Sequence, residues 1–245
     1  MRAAPIYAVG LMCCVAAIVG LFYFIPDANQ QEFDNAQARA LSTEDPWTAY
    51  TVYKEEIRWF EHCGRTTRCP KGYREDTILQ SLLLKALDSK KSDAYIELYS
   101  SRLNWSSFLK IQTEYAPKLL ALVDSQTWEN TNNEFAMYFT AAKLLEGGDF
   151  ITADTPRAAS YLVKAWKKGA IIAPLYLSRL YKRSNDFHNA YLWSLRCVGE
   201  CRFNSVRETF DGYQSGLSNT EIVAIQKVVN NKTVLNVSAD TLGKH

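Results

Sequence analysis

Small and aromatic residues recur at fixed spacing in the second half of this 245-residue chain. Counted from Ala136, members follow at offsets 4, 8 and 11, and the series begins again at Ala173 and at Ser205. The members are Ala136, Thr140, Leu144 and Gly147, then Ala173, Leu177, Tyr181 and Ser184, then Ser205, Thr209, Tyr213 and Gly216. A unit this short cannot bury its apolar face alone, so the pattern predicts units that stack on one another.

A second pattern follows each of the first two series. An aspartate opens each copy, which suits the residue that caps a helix start, and small and aromatic residues come next. The two copies are Asp154, Arg157, Ala158, Tyr161, Ala165 and Gly169, and Asp186, Asn189, Ala190, Trp193, Cys197 and Cys201. Small residues at these positions let two antiparallel helices approach closely, and the aromatic side chains then fill the gaps between neighbouring pairs.

The two patterns together resemble the Sel1-like repeat, a relative of the tetratricopeptide family. The resemblance is good over residues 136–169, fair over 173–201 and weak over 205–216. It implies an all-α fold, an α/α solenoid of helical hairpins that holds a partner on a concave face, without catalysis. Cysteine-bearing members use disulfides to staple helices.

Apolar residues also recur with a period near 3.6 from Pro46 onward, outside the repeat region. This periodicity favours an all-α fold. We expect helices over 47–60, 77–86, 93–103 and 108–123, the last broken or kinked at Pro117, and 233–237 is the one candidate strand. The predicted boundaries place a helical region at 46–130, Sel1-like repeats at 131–218, and a terminal helix and tail at 219–245. Whether residues 46–130 are divergent repeats is left open.

The N-terminal segment predicts a membrane anchor. Residues 3–26 carry no charge, and about 20 such residues cross the hydrocarbon core of a bilayer. Arg2 precedes the span and acids dominate after it, so we expect a cytoplasmic stub at 1–4, a transmembrane signal anchor at 5–26 and an acidic spacer at 27–45. The domain would then lie in the periplasm of a bacterium, tethered to the inner membrane. The alternative is an unusually long cleaved signal peptide.

Four cysteines beyond the anchor form two close pairs, Cys63 with Cys69 and Cys197 with Cys201. An even number in an exported domain predicts two disulfides, and proximity in the chain favours these local pairings among the three that are possible. Gly199 should end the helix between the second pair and so permit the bond. A zinc site at His62, Cys63 and Cys69 lacks a second ligand pair at the right spacing.

Catalytic motifs for nucleophilic, phosphate-binding or metalloprotease chemistry are missing from the sequence. Glu55, Glu56 and Glu61 could act as a general acid and base, but a solvated helix face explains them better. His188 is better explained as a polar residue near a helix start. We therefore expect no enzyme activity, no cofactor and no metal.

Two basic clusters are the candidate partner-binding residues. The first surrounds the loop between Cys63 and Cys69, and the second lies in the repeats, where no acid occurs between residues 157 and 183. The candidates are Arg65, Arg68 and Lys71 in the first cluster, and Lys164, Lys167, Lys168, Arg179, Lys182 and Arg183 in the second. Such charges could meet an acidic protein or anionic headgroups, whereas a net charge of +2 gives no general nucleic-acid footprint.

These observations predict a non-enzymatic protein-binding module. Its partner would be another protein, either a component of an envelope complex or a secreted effector. The resemblance suggests two roles, a scaffold or regulator, and an immunity-type inhibitor of an envelope-targeting toxin, because membrane-anchored Sel1-like proteins serve as immunity partners of secreted phospholipase effectors. An envelope hydrolase is an alternative. So is an adaptor of the eukaryotic ER lumen, since Asn104, Asn231 and Asn236 begin glycosylation sequons.

Overall fold

The structure is a computed structural model that describes residues 28–62, 69–71, 77–100, 108–129, 134–203, 210–214 and 216–242. Within these residues the regular elements are helices and none is a strand, so the predicted all-α class is confirmed. Two compact units are present, one ending at Ser89 and the other beginning at Lys90. The expected anchor at 5–26 lies outside the described residues, among which no helix has the length and apolarity needed to span a bilayer.

In the described part of the first unit, three α-helices pack together. They are α1 (Ala28–Ser42), α2 (Pro46–Arg58), which continues as the 3₁₀ turn Trp59–His62, and α3 (Ile78–Asp88). Asp45 caps α2 by accepting a hydrogen bond from the backbone N–H of Thr48 at 2.8 Å. Helix α2 packs against both α1 and α3, and buries Tyr50 and Tyr53 completely between them.

Helix α1 corrects the expectation of a spacer at 27–45. Its apolar residues Phe33, Ala36 and Ala40 are spaced by three and four, so they share one helical face, and all three are buried. The Phe33 ring meets the Phe60 ring edge-on at a centroid distance of 5.9 Å. Residues 28–42 are therefore a packed part of the first unit, with their charged side chains on the opposite face.

The second unit carries the remaining helices in chain order. They are α4 (Ser92–Leu98), α5 (Leu109–Ser125), α6 (Glu134–Gly147), α7 (Thr155–Lys167), α8 (Ala173–Arg183), α9 (Phe187–Arg196), α10 (Glu200–Phe203), α11 (Asn219–Val228) and α12 (Ala239–Leu242). From α6 to α9 each helix packs on the next across a short connection, as in helical hairpins. Helix α5 runs through Pro117 without the predicted break, and residues 233–237 form no strand.

The repeated positions behave as predicted most clearly in α7 and α9. Asp154 and Asp186 cap these helices, accepting hydrogen bonds from backbone N–H groups three residues later at 3.0 and 3.1 Å. Buried positions of the second pattern are Ala158, Tyr161, Ala165, Asn189, Ala190, Trp193, Cys197 and Cys201. The first pattern is less regular, because Ala136 and Thr140 are only half-buried, whereas Ala173 and Leu177 are buried. Ser205 and Thr209 lie outside the described residues.

A charged capping arrangement fixes the start of α11. Ser218 and Glu221 form a reciprocal capping box, in which the backbone N–H and hydroxyl of Ser218 donate to Glu221 Oε2 at 2.8 and 2.7 Å. The Nε2–H of His188 on α9 donates to the other carboxylate oxygen at 2.7 Å. The bonds from Ser218 and then that from His188 lower the pKa of Glu221 to about 2. His188 therefore links α9 to the first turn of α11 through Glu221.

We expect this lowered pKa to shape the acid stability of the chain. Because the pKa of Glu221 falls below its ordinary value of 4.5 on folding, its ionised form contributes stability above that pH, and the contribution is lost toward pH 2. Urea unfolding of wild type and Glu221→Gln between pH 7 and pH 2 should show the difference in unfolding free energy shrinking as the pH falls. Parallel curves for the two proteins over that range would contradict the assignment.

Candidate functional site

Part of the predicted basic cluster of the repeats forms ion pairs with acids of earlier helices. Arg157 pairs with Asp124 of α5, and Lys168 and Arg183 pair with Glu134 and Glu146 at opposite ends of α6. The Lys168–Glu134 distance is 2.5 Å. Three cations of the acid-free stretch 157–183 are therefore paired with acids that precede this stretch in the sequence.

The other basic residues of that cluster are spread over different surroundings. The ammonium of Lys164 lies 5.6 and 5.5 Å from the ring centroids of Tyr138 and Tyr161, and that of Lys182 lies 4.5 Å from the Tyr213 ring. Such cation–π contacts hold a charge against an aromatic face. Arg179 is half-buried beside the ring of Tyr176, and Lys167 is exposed at the end of α7.

The disulfide loop of the first unit is described only in part. Cys69 is disulfide-bonded, whereas Cys63, Arg65 and Arg68 lie outside the described residues. Lys71 is exposed, and its backbone N–H donates to Oε1 of Gln30 on α1 at 2.6 Å. Two of the predicted carboxylates form ion pairs, Glu56 with Arg39 at 2.9 Å and Glu55 with Arg58 at 3.3 Å, and the side chain of Glu61 lies outside the described residues. Glu55 is well exposed, as expected of a solvated helix face, whereas Glu56 is half-buried.

A groove of about 390 Å³ in the second unit was not predicted from the sequence. It is bounded by the end of α7, the start of α8, the end of α9 and the chain after α11. Its walls are formed by Trp166, Gly169, Ala170, Ile171, Pro174, Leu195, Arg196, Val198, Val229, Asn230 and Lys232. Two large apolar side chains at its edge are exposed to solvent, Ile171 at 59% and Val198 at 65%.

The α7–α8 turn shapes one wall of the groove. Gly169 has φ +102°, a left-handed conformation that side-chain-bearing residues rarely adopt, and it ends α7 in the manner of a helix C-cap. The N–H of Gly169 donates to Trp166 O at 3.0 Å, and that of Ala170 to Ala165 O at 2.9 Å. This tight turn leaves Ile171 exposed two residues before the start of α8.

A disulfide shapes the opposite wall. The predicted bond between Cys197 and Cys201 is present, with the two Cα atoms 5.1 Å apart. As predicted, the helix does not continue between them: α9 ends at Arg196, and Gly199 takes φ +58°. Both cysteines are buried against Leu175 of α8, so the bond fixes the end of α9 to the neighbouring helix. Val198 is thereby held at the edge of the groove.

Arg196 supplies a charge without a carboxylate partner. Its guanidinium donates to three backbone carbonyls of the chain after α11, Val229 at 3.0 Å, Asn231 at 2.8 Å and Val234 at 2.6 Å. No acidic group of the described residues forms an ion pair with it. Burial lowers the pKa of Arg196 to about 10, which still leaves it cationic at neutral pH. The groove wall thus contains a partly desolvated positive charge that is held by backbone carbonyls, with no carboxylate of the described residues paired to it.

Two tryptophans hold the guanidinium in place. Its central carbon lies 4.6 Å from the Trp193 ring centroid and 5.1 Å from that of Trp166, and the two indoles meet edge-on at 5.0 Å. Trp193 is fully buried, and within the described part of the chain neither its Nε1 nor Arg196 Nη1 has a hydrogen-bond acceptor. Trp166 is half-buried and lines the groove, as expected of an aromatic anchor.

Comparisons with protein families, curated proteins and solved structures find no match to this chain. The site must therefore be interpreted from its own geometry. Among the described residues no cluster of histidine, cysteine or acidic side chains could hold a metal ion. What the groove does offer is an apolar rim, an aromatic floor and two cations, Arg196 and Lys232.

Proposed function

We propose that this chain is a non-enzymatic module that binds another protein through the groove at Arg196. The observation that supports the proposal is the combination of exposed Ile171 and Val198 with the half-buried Trp166 and a cationic wall. Aromatic and arginine side chains surrounded by apolar contacts are typical of the centres of protein interfaces. The disulfide and the cap at Gly169 preorganise both walls, which lowers the ordering cost of binding.

The finer fold proposal is that residues 131–218 are Sel1-like repeats stacked as an α/α solenoid. Support comes from the hairpin-like succession α6 to α9 and from aspartate caps that recur at Asp154 and Asp186. The burial of the small residues at the repeated positions of α7 and α9 also fits.

The proposed location is the periplasmic face of a bacterial inner membrane. Residues 5–26 would be a single-pass anchor, leaving the N-terminus in the cytoplasm. A disulfide between Cys197 and Cys201 suits that oxidising compartment. From there the groove could act in a scaffold or regulator of an envelope complex, or in an immunity-type inhibitor, since both roles require a partner bound outside the cytoplasm.

A site-specific crosslink tests the proposal. A photoreactive phenylalanine analogue at Val198 should give a discrete protein adduct in the producing cells, and the same analogue at Leu109 on α5 should not. Leu109 is a matched control because it is 54% exposed in the same unit and lies outside the groove. The adduct should remain with the membrane fraction after alkaline washing, since the proposed anchor spans the bilayer.

The identity of the adduct decides between the roles. A secreted effector would favour the immunity role, and an envelope component would favour the scaffold. Equal labelling at positions 198 and 109, or no protein adduct at Val198, would contradict binding through the groove. Release of the chain by alkaline washing would contradict the anchor.

A further inference from the structure

The charged side chains that line the groove are both positive. Lys232 is exposed and Arg196 is partly buried, and among the described residues no acidic side chain lines the groove. The neighbouring cations Arg157, Lys168 and Arg183 already have carboxylate partners. At the groove itself, Arg196 and Lys232 form no ion pair with an acidic group of the described residues.

The number of unpaired cations limits the kind of anion that fits. Binding to an anionic membrane surface or to nucleic acid draws on several basic residues acting together. Here two cations stand beside an apolar rim, which matches a single negative charge next to an apolar group. A protein segment presents that combination when an acidic residue is adjacent to an aliphatic or aromatic one.

The backbone around the groove argues against a chain-terminal carboxylate. Such a group is typically captured by several free backbone N–H groups. In this groove the N–H groups of Gly169, Ala170 and Val198 donate to Trp166 O, Ala165 O and Arg196 O within their own turns. The cations that remain are side chains, which suit the carboxylate of an aspartate or glutamate.

We infer that the groove binds an internal acidic–apolar segment of a partner protein. In this arrangement Lys232 at the rim pairs with the Asp or Glu carboxylate, and Arg196 adds a fixed positive field behind it. The adjacent apolar side chain lies between Ile171 and Val198. This inference rests on the proposed function, and it specifies the chemistry of the partner.

Peptide selection followed by a double-mutant cycle tests the inference. The full chain in detergent micelles is panned against a displayed library of random 12-residue peptides. The selected peptides should be enriched in Asp or Glu next to Leu, Ile, Phe or Trp. The most enriched peptide is then synthesised with a fluorophore, and its affinity is measured by fluorescence polarisation at low salt.

The variants separate charge from apolar contact. Lys232→Gln should weaken peptide binding about fivefold, which is the range of an exposed ion pair. In that variant, changing the peptide's acidic residue to its amide should cause little further loss of affinity. Val198→Asp should abolish measurable binding, and its exposed position makes a folding defect unexpected. Lys167→Gln is the matched control, because Lys167 is exposed near the groove but does not line it, so its affinity should match wild type.

The outcomes also separate this inference from the proposed function. Enrichment of neutral or basic peptides would overturn the acidic–apolar assignment, and so would equal losses of peptide affinity in Lys232→Gln and Lys167→Gln. Either result would leave the proposed function standing if a protein adduct still formed at position 198. Binding of phosphatidylglycerol vesicles that depends on Lys232, with no peptide enriched, would overturn it in favour of a lipid surface.

Discussion

Replacing Trp193 with alanine should cost the second unit about 3–5 kcal/mol of unfolding free energy. Trp193 is the largest side chain in the fully buried core, and its ring packs against both Trp166 and the Arg196 guanidinium. Alanine would leave a cavity where the indole was and remove the surface on which Arg196 rests. The loss is a large share of the 5–15 kcal/mol that stabilises an ordinary domain.

Hydrogen exchange read by mass spectrometry would locate the effect. Amides of α7 to α9 should exchange about a hundredfold faster or more in Trp193→Ala, because 3 kcal/mol corresponds to roughly that factor. Trp59→Ala removes the same atoms from a side chain that is 79% exposed, so we expect a change within about 0.5 kcal/mol in its own helical segment. Similar losses of unfolding free energy in Trp193→Ala and Trp59→Ala would show that the burial of Trp193 does not stabilise the second unit.

Local signals in the sequence were enough to predict the helices of the repeat region. Asp154 and Asp186 cap α7 and α9 through bonds that span only three residues, so the determinants lie within one turn of the chain. The disulfide between Cys197 and Cys201 was predictable for the same reason, with Gly199 supplying the required turn.

A local count of charges could not show which basic residues are paired, because the ion pairs form between helices. Arg157 and Asp124 are 33 residues apart, and Arg183 and Glu146 are 37 apart. The groove depends on contacts of similar range, since Arg196 bonds to carbonyls 33 to 38 residues away. Nothing in the sequence near Arg196 marks it as the cation that would remain without an acidic partner.

Helix α1 was predictable in principle. Its acidic composition suggested a spacer, but Phe33, Ala36 and Ala40 already carry the helical spacing of a buried face. Periodicity was therefore the better guide than average polarity in this segment. The apolar face is narrow and built mostly of alanine, which is why it contributes little to the composition of 27–45.

Asn189 should be the polar residue whose loss most weakens the C-terminal tail. Its side-chain amide forms two bonds with one backbone unit, accepting from Val237 N–H at 2.8 Å and donating to Val237 O at 3.1 Å. Val237 belongs to the core cluster that also contains Leu242 of α12. Asn189→Ala would leave both buried groups of Val237 without a partner, at a cost of about 2–4 kcal/mol.

An isosteric variant separates hydrogen bonding from volume. Asn189→Asp preserves the shape, but its carboxylate cannot donate to Val237 O and would face Asp186, whose Oδ2 accepts from Asn189 Nδ2 at 2.8 Å in the native protein. We therefore expect it to destabilise residues 229–242 at least as much as alanine does, measured by limited proteolysis and hydrogen exchange of that segment. Asn230→Ala is the control at an exposed position, and it should change neither the proteolysis nor the hydrogen exchange of that segment. If Asn189→Asp behaved like wild type, packing volume rather than the paired hydrogen bonds would hold the tail to α9.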